Sequence, residues 1–247
     1  MTDTEAALLR AIAAHPDEDT PRLVYADYLD ELGGPAAAAR ARFIRLHVQA
    51  ARLGDADPAR EDVARRVDLL LLAWDAAWRR AMPPGFGPLS GYRRGFPYRA
   101  AAPASAVLAA ADDPRLPPLE VLTLTVDVPT RRLRELVRVP VVAGLKELVV
   151  GAEVPIGWPG ARALAEGTFP RLEKLDLARQ AVGDLGVRAL CASRGFPRLG
   201  ELDLSHNDVT DAGGEVLLAS GLFRRLWRLS VWNGDLSEEM SARLRKW

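Results

Sequence analysis

Cysteine is almost missing from this chain of 247 residues: Cys191 stands alone. A single thiol forms no internal disulfide and builds no multi-cysteine zinc site. Histidine is nearly as scarce, with only His15, His47 and His206. Neither His15 nor His47 neighbours a second metal-type ligand at a standard spacing, and no metal or organic cofactor is expected. The chain has no glycine-rich phosphate loop and no G-x-S-x-G elbow. It has no apolar run of the roughly 18 residues a membrane helix needs. Its N-terminus, MTDTEAALLRAIAAHPDEDT, has early acids and no long apolar core, unlike a signal peptide, so a cytoplasmic setting is expected. Net charge is absent too: Lys plus Arg and Asp plus Glu are 33 each. Without a net positive field, nucleic acid and acidic membrane are poor partners. Only Lys146, Lys174 and Lys246 among the basic residues are lysine. Abundant arginine beside abundant alanine reads as coding bias, not as phosphate binding.

What is present is leucine at a fixed interval. The stretch LGELDLSHND, Leu199 to Asp208, packs acids, a serine and a histidine closely enough to resemble a catalytic site. The pattern L-x-x-L-x-L recurs around it. It is carried by Leu119, Leu122 and Leu124; by Leu145, Leu148 and Val150; by Leu172, Leu175 and Leu177; by Leu199, Leu202 and Leu204; and by Leu226, Leu229 and Val231. A weaker first copy is expected near Arg93, with Phe96 and Tyr98 inward. Such a period means stacked supersecondary units. Alternation puts the second and third leucines on one side of a short strand. The second half of each unit reads helical, with Thr210 as an N-cap and Val216, Leu217 and Leu218 as the stripe, and with Val187, Leu190 and Cys191 one unit earlier. Cys191 therefore reads as a small buried hydrophobe. These units resemble leucine-rich repeats of the ribonuclease-inhibitor type, over roughly residues 90–247. That resemblance implies a strand-then-helix arc with a parallel sheet on its concave side. Asn207 matches the polar position after the strand, whereas Asp127, Glu153, Gln180 and Gly234 depart from it.

Residues 1–84 read as four helices: Asp3 to Ala14; one capped by Thr20 with Leu23, Val24, Tyr28, Leu29 and Leu32 inward; Pro35 to Leu53; and one capped by Asp57, with Val63, Val67, Leu70 and Trp74 as its stripe. Asp27, Asp30 and Glu31 form an acidic face on the second helix. Arg42, Arg45, Gln49 and Arg52 form a basic stripe on the third. Mutual pairing of the two faces is favoured over a metal or anion site. The stretch HPDEDTPRLVYADYLDELG, then ARARFIRL, resembles a repeat-companion domain found at the N-terminus of bacterial repeat proteins. The pattern there is close to D-x-x-x-R-L-V-Y-A-D-W-L-E-E followed by R-A-E-F-I-R-L-Q. Tyr28 stands here for the usual Trp, Arg42 where an acid is more frequent, and His47 for the usual Gln. The resemblance covers roughly residues 5–80 and implies architecture, with leucine-rich repeats as a usual companion, but no activity. The expected fold is α/β: a helical domain, 1–84, capping a short solenoid, 90–247, of about five repeats plus the degenerate first copy.

Outward strand positions stack into columns. One reads Val121, Glu147, Lys174, Glu201, Arg228. The next reads Thr123, Val149, Asp176, Asp203, Ser230. A third reads Thr125, Gly151, Ala178, Ser205, Trp232, flanked by Arg179, His206 and Asn233. The core does not set these positions. Mixed charge suits a protein or peptide, so the expected function is a non-enzymatic binding module or scaffold. Its face is Glu147, Lys174, Asp176, Arg179, Glu201, Asp203, His206, Arg228 and Trp232. A second reading is a subunit of a larger assembly, joined through a tryptophan-rich C-terminal end where Trp227, Trp232 and Trp247 fall and no polar cap follows. A weaker one is a hydrolase using His206 with Asp203 and Asp176, disfavoured because a site needs convergent, desolvated groups and an open curved sheet is wet.

Overall fold

The computed structural model describes residues 1–87, 91–126, 128–232 and 235–245. The chain divides into two compact units. The first comprises Met1–Pro84, Pro88–Ala100 and Asp112–Leu119; the second comprises Gly85–Gly87, Ala101–Ala111 and Glu120–Trp247.

The first unit begins with four helices: α1 (Asp3–Ala14), α2 (Thr20–Leu32), α3 (Pro35–Arg52) and α4 (Ala59–Arg80). Thr2 caps α1 through the Glu5 amide, and Asp57 accepts from the Ala59 amide at the start of α4. Thr20 is not the cap of α2: the cap position falls to Asp19, whose carboxylate instead meets Arg52 and Arg94. The buried face of α2 is also rotated from the expected one. Arg22, Tyr25, Ala26 and Leu29 are buried, while Val24 and Leu32 are exposed at 47% and 61%. Nearly every residue from Leu23 to Leu29 is apolar, so period alone leaves the face open. Arg22 decides it by donating to the carbonyls of His15, Glu18 and Pro16, which folds the preceding loop onto the helix. Two cores result. Ile12, Tyr25, Ala26, Leu29, Ala41, Ile44 and Phe96 form one, and Phe43, Leu46, Val63 and Val67 the other.

Tyr92–Arg93 (β1) and Phe96–Pro97 (β2) then pair antiparallel. Arg94 and Gly95 between them both have left-handed φ, 49° and 83°. That turn corrects the reading of the degenerate first copy. Phe96 is spent in the helical core, and the strand that joins the main sheet is Arg99–Ala102 (β3), with Ala100 and Ala102 buried. Their alanines are too small to register in a leucine pattern.

The remaining elements alternate: α5 (Ala104–Ala109), β4 (Val121–Thr125), α6 (Thr130–Leu136), β5 (Glu147–Gly151), α7 (Gly157–Ala165), β6 (Lys174–Asp176), α8 (Gly183–Ala192), β7 (Glu201–Asp203), α9 (Asp211–Ala219), α10 (Gly221–Arg225), β8 (Arg228–Ser230) and α11 (Glu238–Leu244). A 3-10 turn, Pro140–Gly144, precedes β5. The six-stranded sheet is ordered β3-β4-β5-β6-β7-β8, and β4 to β8 pair parallel in sequence. The fold is thus α/β, with an N-terminal helical region and a sequentially ordered parallel sheet. Leu122, Leu148, Leu175, Leu202 and Leu229 lie in register across it and are buried.

Three further repeating positions complete the core. Phe169 and Phe196 stack with centroids 5.3 Å apart. Gly160, Gly186 and Gly213 sit where a Cβ would strike the buried side chain four residues earlier: Ile156 at 2.5 Å, Val182 at 2.4 Å and Val209 at 2.8 Å. Asp184 accepts from the Thr210 amide and hydroxyl, and Asp211 accepts from the Ser237 amide, so each helix start is tied to the next. Thr210 and Ser237 also cap their own helices. Among the described residues, no helix is long and apolar enough to cross a membrane.

Candidate binding face

Alternate residues of β5 to β8 face away from the leucines. Register sets Glu147, Lys174, Glu201 and Arg228 side by side. The Lys174 ammonium donates to Glu147 at 2.9 Å, which pushes its pKa up. Arg228 lies 3.9 Å from Glu201. Each such half-exposed pair contributes at most about 1 kcal/mol. Their larger effect is to orient long side chains on an otherwise open surface.

The second column has a different job. Asp176 accepts from the Ala178 amide at 3.0 Å and Asp203 from the Ser205 amide at 2.8 Å. Each carboxylate holds the chain as it leaves its strand, as Asp does in side-chain turns. Lys174, Asp176, Glu201, Asp203, Arg228 and Ser230 line a shallow depression of about 100 Å³.

Past the strands, Arg179, Ala181, His206 and Asp208 all adopt left-handed φ, between 50° and 61°. Side chains other than glycine rarely sit there, and each position needs support. Asn207 supplies it. Fully buried, it donates to the carbonyls of Leu177 and Ser205 and accepts from the amides of Gln180 and Val182. Gln180 fills the same role one repeat earlier, donating to Ala152 and Ala178 and accepting from Ile156. A glutamine at this position therefore preserves the asparagine's function. Glu153 is exposed, and Asp127 and Gly234 lie outside the described residues.

Arg179 and His206 are exposed. The His206 ring meets Trp232 edge to face, centroids 5.4 Å apart, and its amide donates to the Trp232 carbonyl. Among the described residues no hydrogen bond joins His206 to Asp203 or Asp176. Trp232 is 75% exposed and Trp227 60%. The two lie on either side of β8 in the chain, and Trp227 lies over Gly200, where a Cβ would come 2.2 Å from its indole nitrogen. Trp247 and Asn233 lie outside the described residues. Cys191 is half-buried, and burial raises its thiol pKa, away from a nucleophilic thiolate.

In the helical unit, Arg45 reaches between Asp27 and Asp30 at 2.6 Å to each. Arg52 meets Asp19 at 2.9 Å. Glu31, Arg42 and Gln49 are exposed. Among the described residues no three His, Cys, Asp or Glu side chains gather to hold a metal ion.

A family model described as leucine-rich repeat matches residues 199–218. That segment contains β7, the Asn207 turn and most of α9. No curated protein matches the chain.

Proposed function

With leucine-rich repeats as the frame, we propose that this chain is a non-enzymatic module that binds a protein or peptide on the open face of its sheet. The proposal takes residues 1–84 as a companion domain and 90–247 as the repeat domain. The face comprises Glu147, Lys174, Asp176, Arg179, Glu201, Asp203, His206, Arg228 and Trp232. One observation supports it above others. Acids and bases alternate across neighbouring strands and end at an exposed tryptophan held on a histidine. Tryptophan and arginine are the residue types that most often anchor protein interfaces. Mixed charge at fixed strand spacing suits a polypeptide better than a phosphate backbone. Hydrolysis is the weaker reading, because His206 faces an indole and Asp203 is engaged by a backbone amide.

The test pairs Arg228→Glu with Asp203→Asn, which removes the second charge and keeps an acceptor for the Ser205 amide. Stability should move by less than about 1 kcal/mol. Partner capture from the native host should fall at least tenfold relative to the parent chain. An unchanged melt with undiminished capture would move the interface elsewhere. The first place to look is β8, the last strand of the described sheet, between exposed Trp227 and Trp232. That second reading, assembly through the tryptophan-bearing end, predicts a mass in solution that falls when Trp232 is replaced by Ser.

A further inference from the structure

The helical unit contains a cavity of about 580 Å³. Small-molecule sites typically occupy ~300–1,000 Å³ and are apolar with a few placed polar groups. Leu9, Leu29, Leu32, Trp74, Trp78 and Met82 supply its apolar wall. Leu32, 61% exposed, marks an apolar rim open to solvent.

One wall residue is charged and unmatched. Arg40 holds its guanidinium 4.9 Å from the Trp78 ring, 5.1 Å from Phe96 and 5.6 Å from Phe43. The residue as a whole is half-buried, but Nη1 is shut from water and has no hydrogen-bond acceptor. Among the described residues Arg40 pairs with no carboxylate. Two other charged side chains on the wall are already engaged. Arg115 is bound by Asp113 at 2.6 Å, and Glu5 accepts from the Tyr25 hydroxyl at 3.1 Å. Aromatic faces attract a cation but leave its N–H donors unmet. A desolvated, unpaired guanidinium is costly, and an anion beside it relieves that cost.

We propose that this cavity binds a small monocarboxylate with an apolar body, its carboxylate against Arg40 and its body along Leu9, Leu29 and Trp74. The planar fork of arginine matches a carboxylate. The surrounding wall rewards hydrocarbon, so the two halves of the ligand correspond to the two kinds of lining. His47 gives an independent reporter. It lies against Phe43, and burial, with the charge of Arg40 adding to it, holds its imidazole neutral. An anion on Arg40 would therefore raise the pKa of His47.

The experiment uses the full chain with decanoate as probe and 1-decanol as its uncharged counterpart, read by titration calorimetry and by tryptophan fluorescence. Decanoate should bind at least tenfold more tightly than decanol, and the His47 imidazole titration, followed by NMR, should move upward with decanoate alone. Arg40→Met keeps the volume and removes the charge, so decanoate should lose its advantage while decanol is unaffected. Ala77→Trp adds bulk to the cavity wall while leaving Arg40 in the chain and should weaken both. It also keeps the test decisive if Arg40→Met unfolds. Absence of decanoate binding would overturn the proposal. So would equal binding of the two probes, or decanoate binding undiminished by Ala77→Trp.

Discussion

Asn207 uses all four hydrogen-bonding positions of its amide inside the core. Replacing it with Ala leaves two amides and a carbonyl of the preceding repeat without a partner. Each unsatisfied buried group costs about 1–3 kcal/mol, partly relieved by water, so Asn207→Ala should destabilise by roughly 2–4 kcal/mol in a denaturant titration. His47 makes a second prediction at this scale. Burial, with a smaller contribution from the Arg40 charge, lowers its pKa from 6.5 to about 4. The folded chain therefore holds a neutral imidazole that the unfolded chain protonates. Below pH 6.5 the unfolded state binds more protons, so stability falls with pH down to about 4 and levels off there. The full effect is about 3 kcal/mol. Denaturation midpoints at pH 7 and pH 4.5 should differ in the parent chain, and His47→Phe should flatten that difference.

Helix α8 packs through a glycine. A Cβ on Gly186 would lie 2.4 Å from Val182 Cγ1 and 3.0 Å from Ala161 Cβ, so Gly186→Ala forces the helix away from its neighbours. Overpacking of this kind costs about 1–3 kcal/mol. Gly183, at the start of the same helix, has open space around it and a φ of +56°. Gly183→Ala should cost only about 1 kcal/mol of backbone strain, and thermal melts of the two variants separate crowding from conformation. The leucines of the sheet are legible in the sequence because large apolar residues recur at a fixed interval. Gly186 and its equivalents share that interval yet stay hidden, because a close approach leaves no side chain to count. Ala100 and Ala102 escape for the same reason, and Phe96 draws the eye to the wrong strand. Arg40 is hidden differently. An arginine on a polar helix reads as solvated, and only the rings brought to it by α4 and β2 reveal that it is not.

Among the described residues each strand of the sheet lies beside its neighbours in sequence, and stability is passed from repeat to repeat. Strands β6 and β7 have a partner on both sides, while β8 ends the described sheet. Amide hydrogen exchange should therefore be slowest at Leu175 and Leu202 and measurably faster at Leu229. Equal protection would mean that another surface covers β8.

Asn207 and Gln180 both reach backwards, and their backbones do the same: the Asn207 carbonyl accepts from Gly183 and the Gln180 carbonyl from Gly157. Each turn thus carries the instructions for docking on whatever turn precedes it. The chain can accordingly be spliced. Cutting out residues 180–206 would bring Asn207 to the position Gln180 now occupies, facing Ala152 and Ile156 with the same kind of amide. The shortened protein should fold and melt cooperatively. Removal of about half that length would put a helix where a strand belongs and should leave the chain unfolded. The natural unit of growth and loss in this molecule is then the interval between two amide side chains, and its length is free to vary in whole steps.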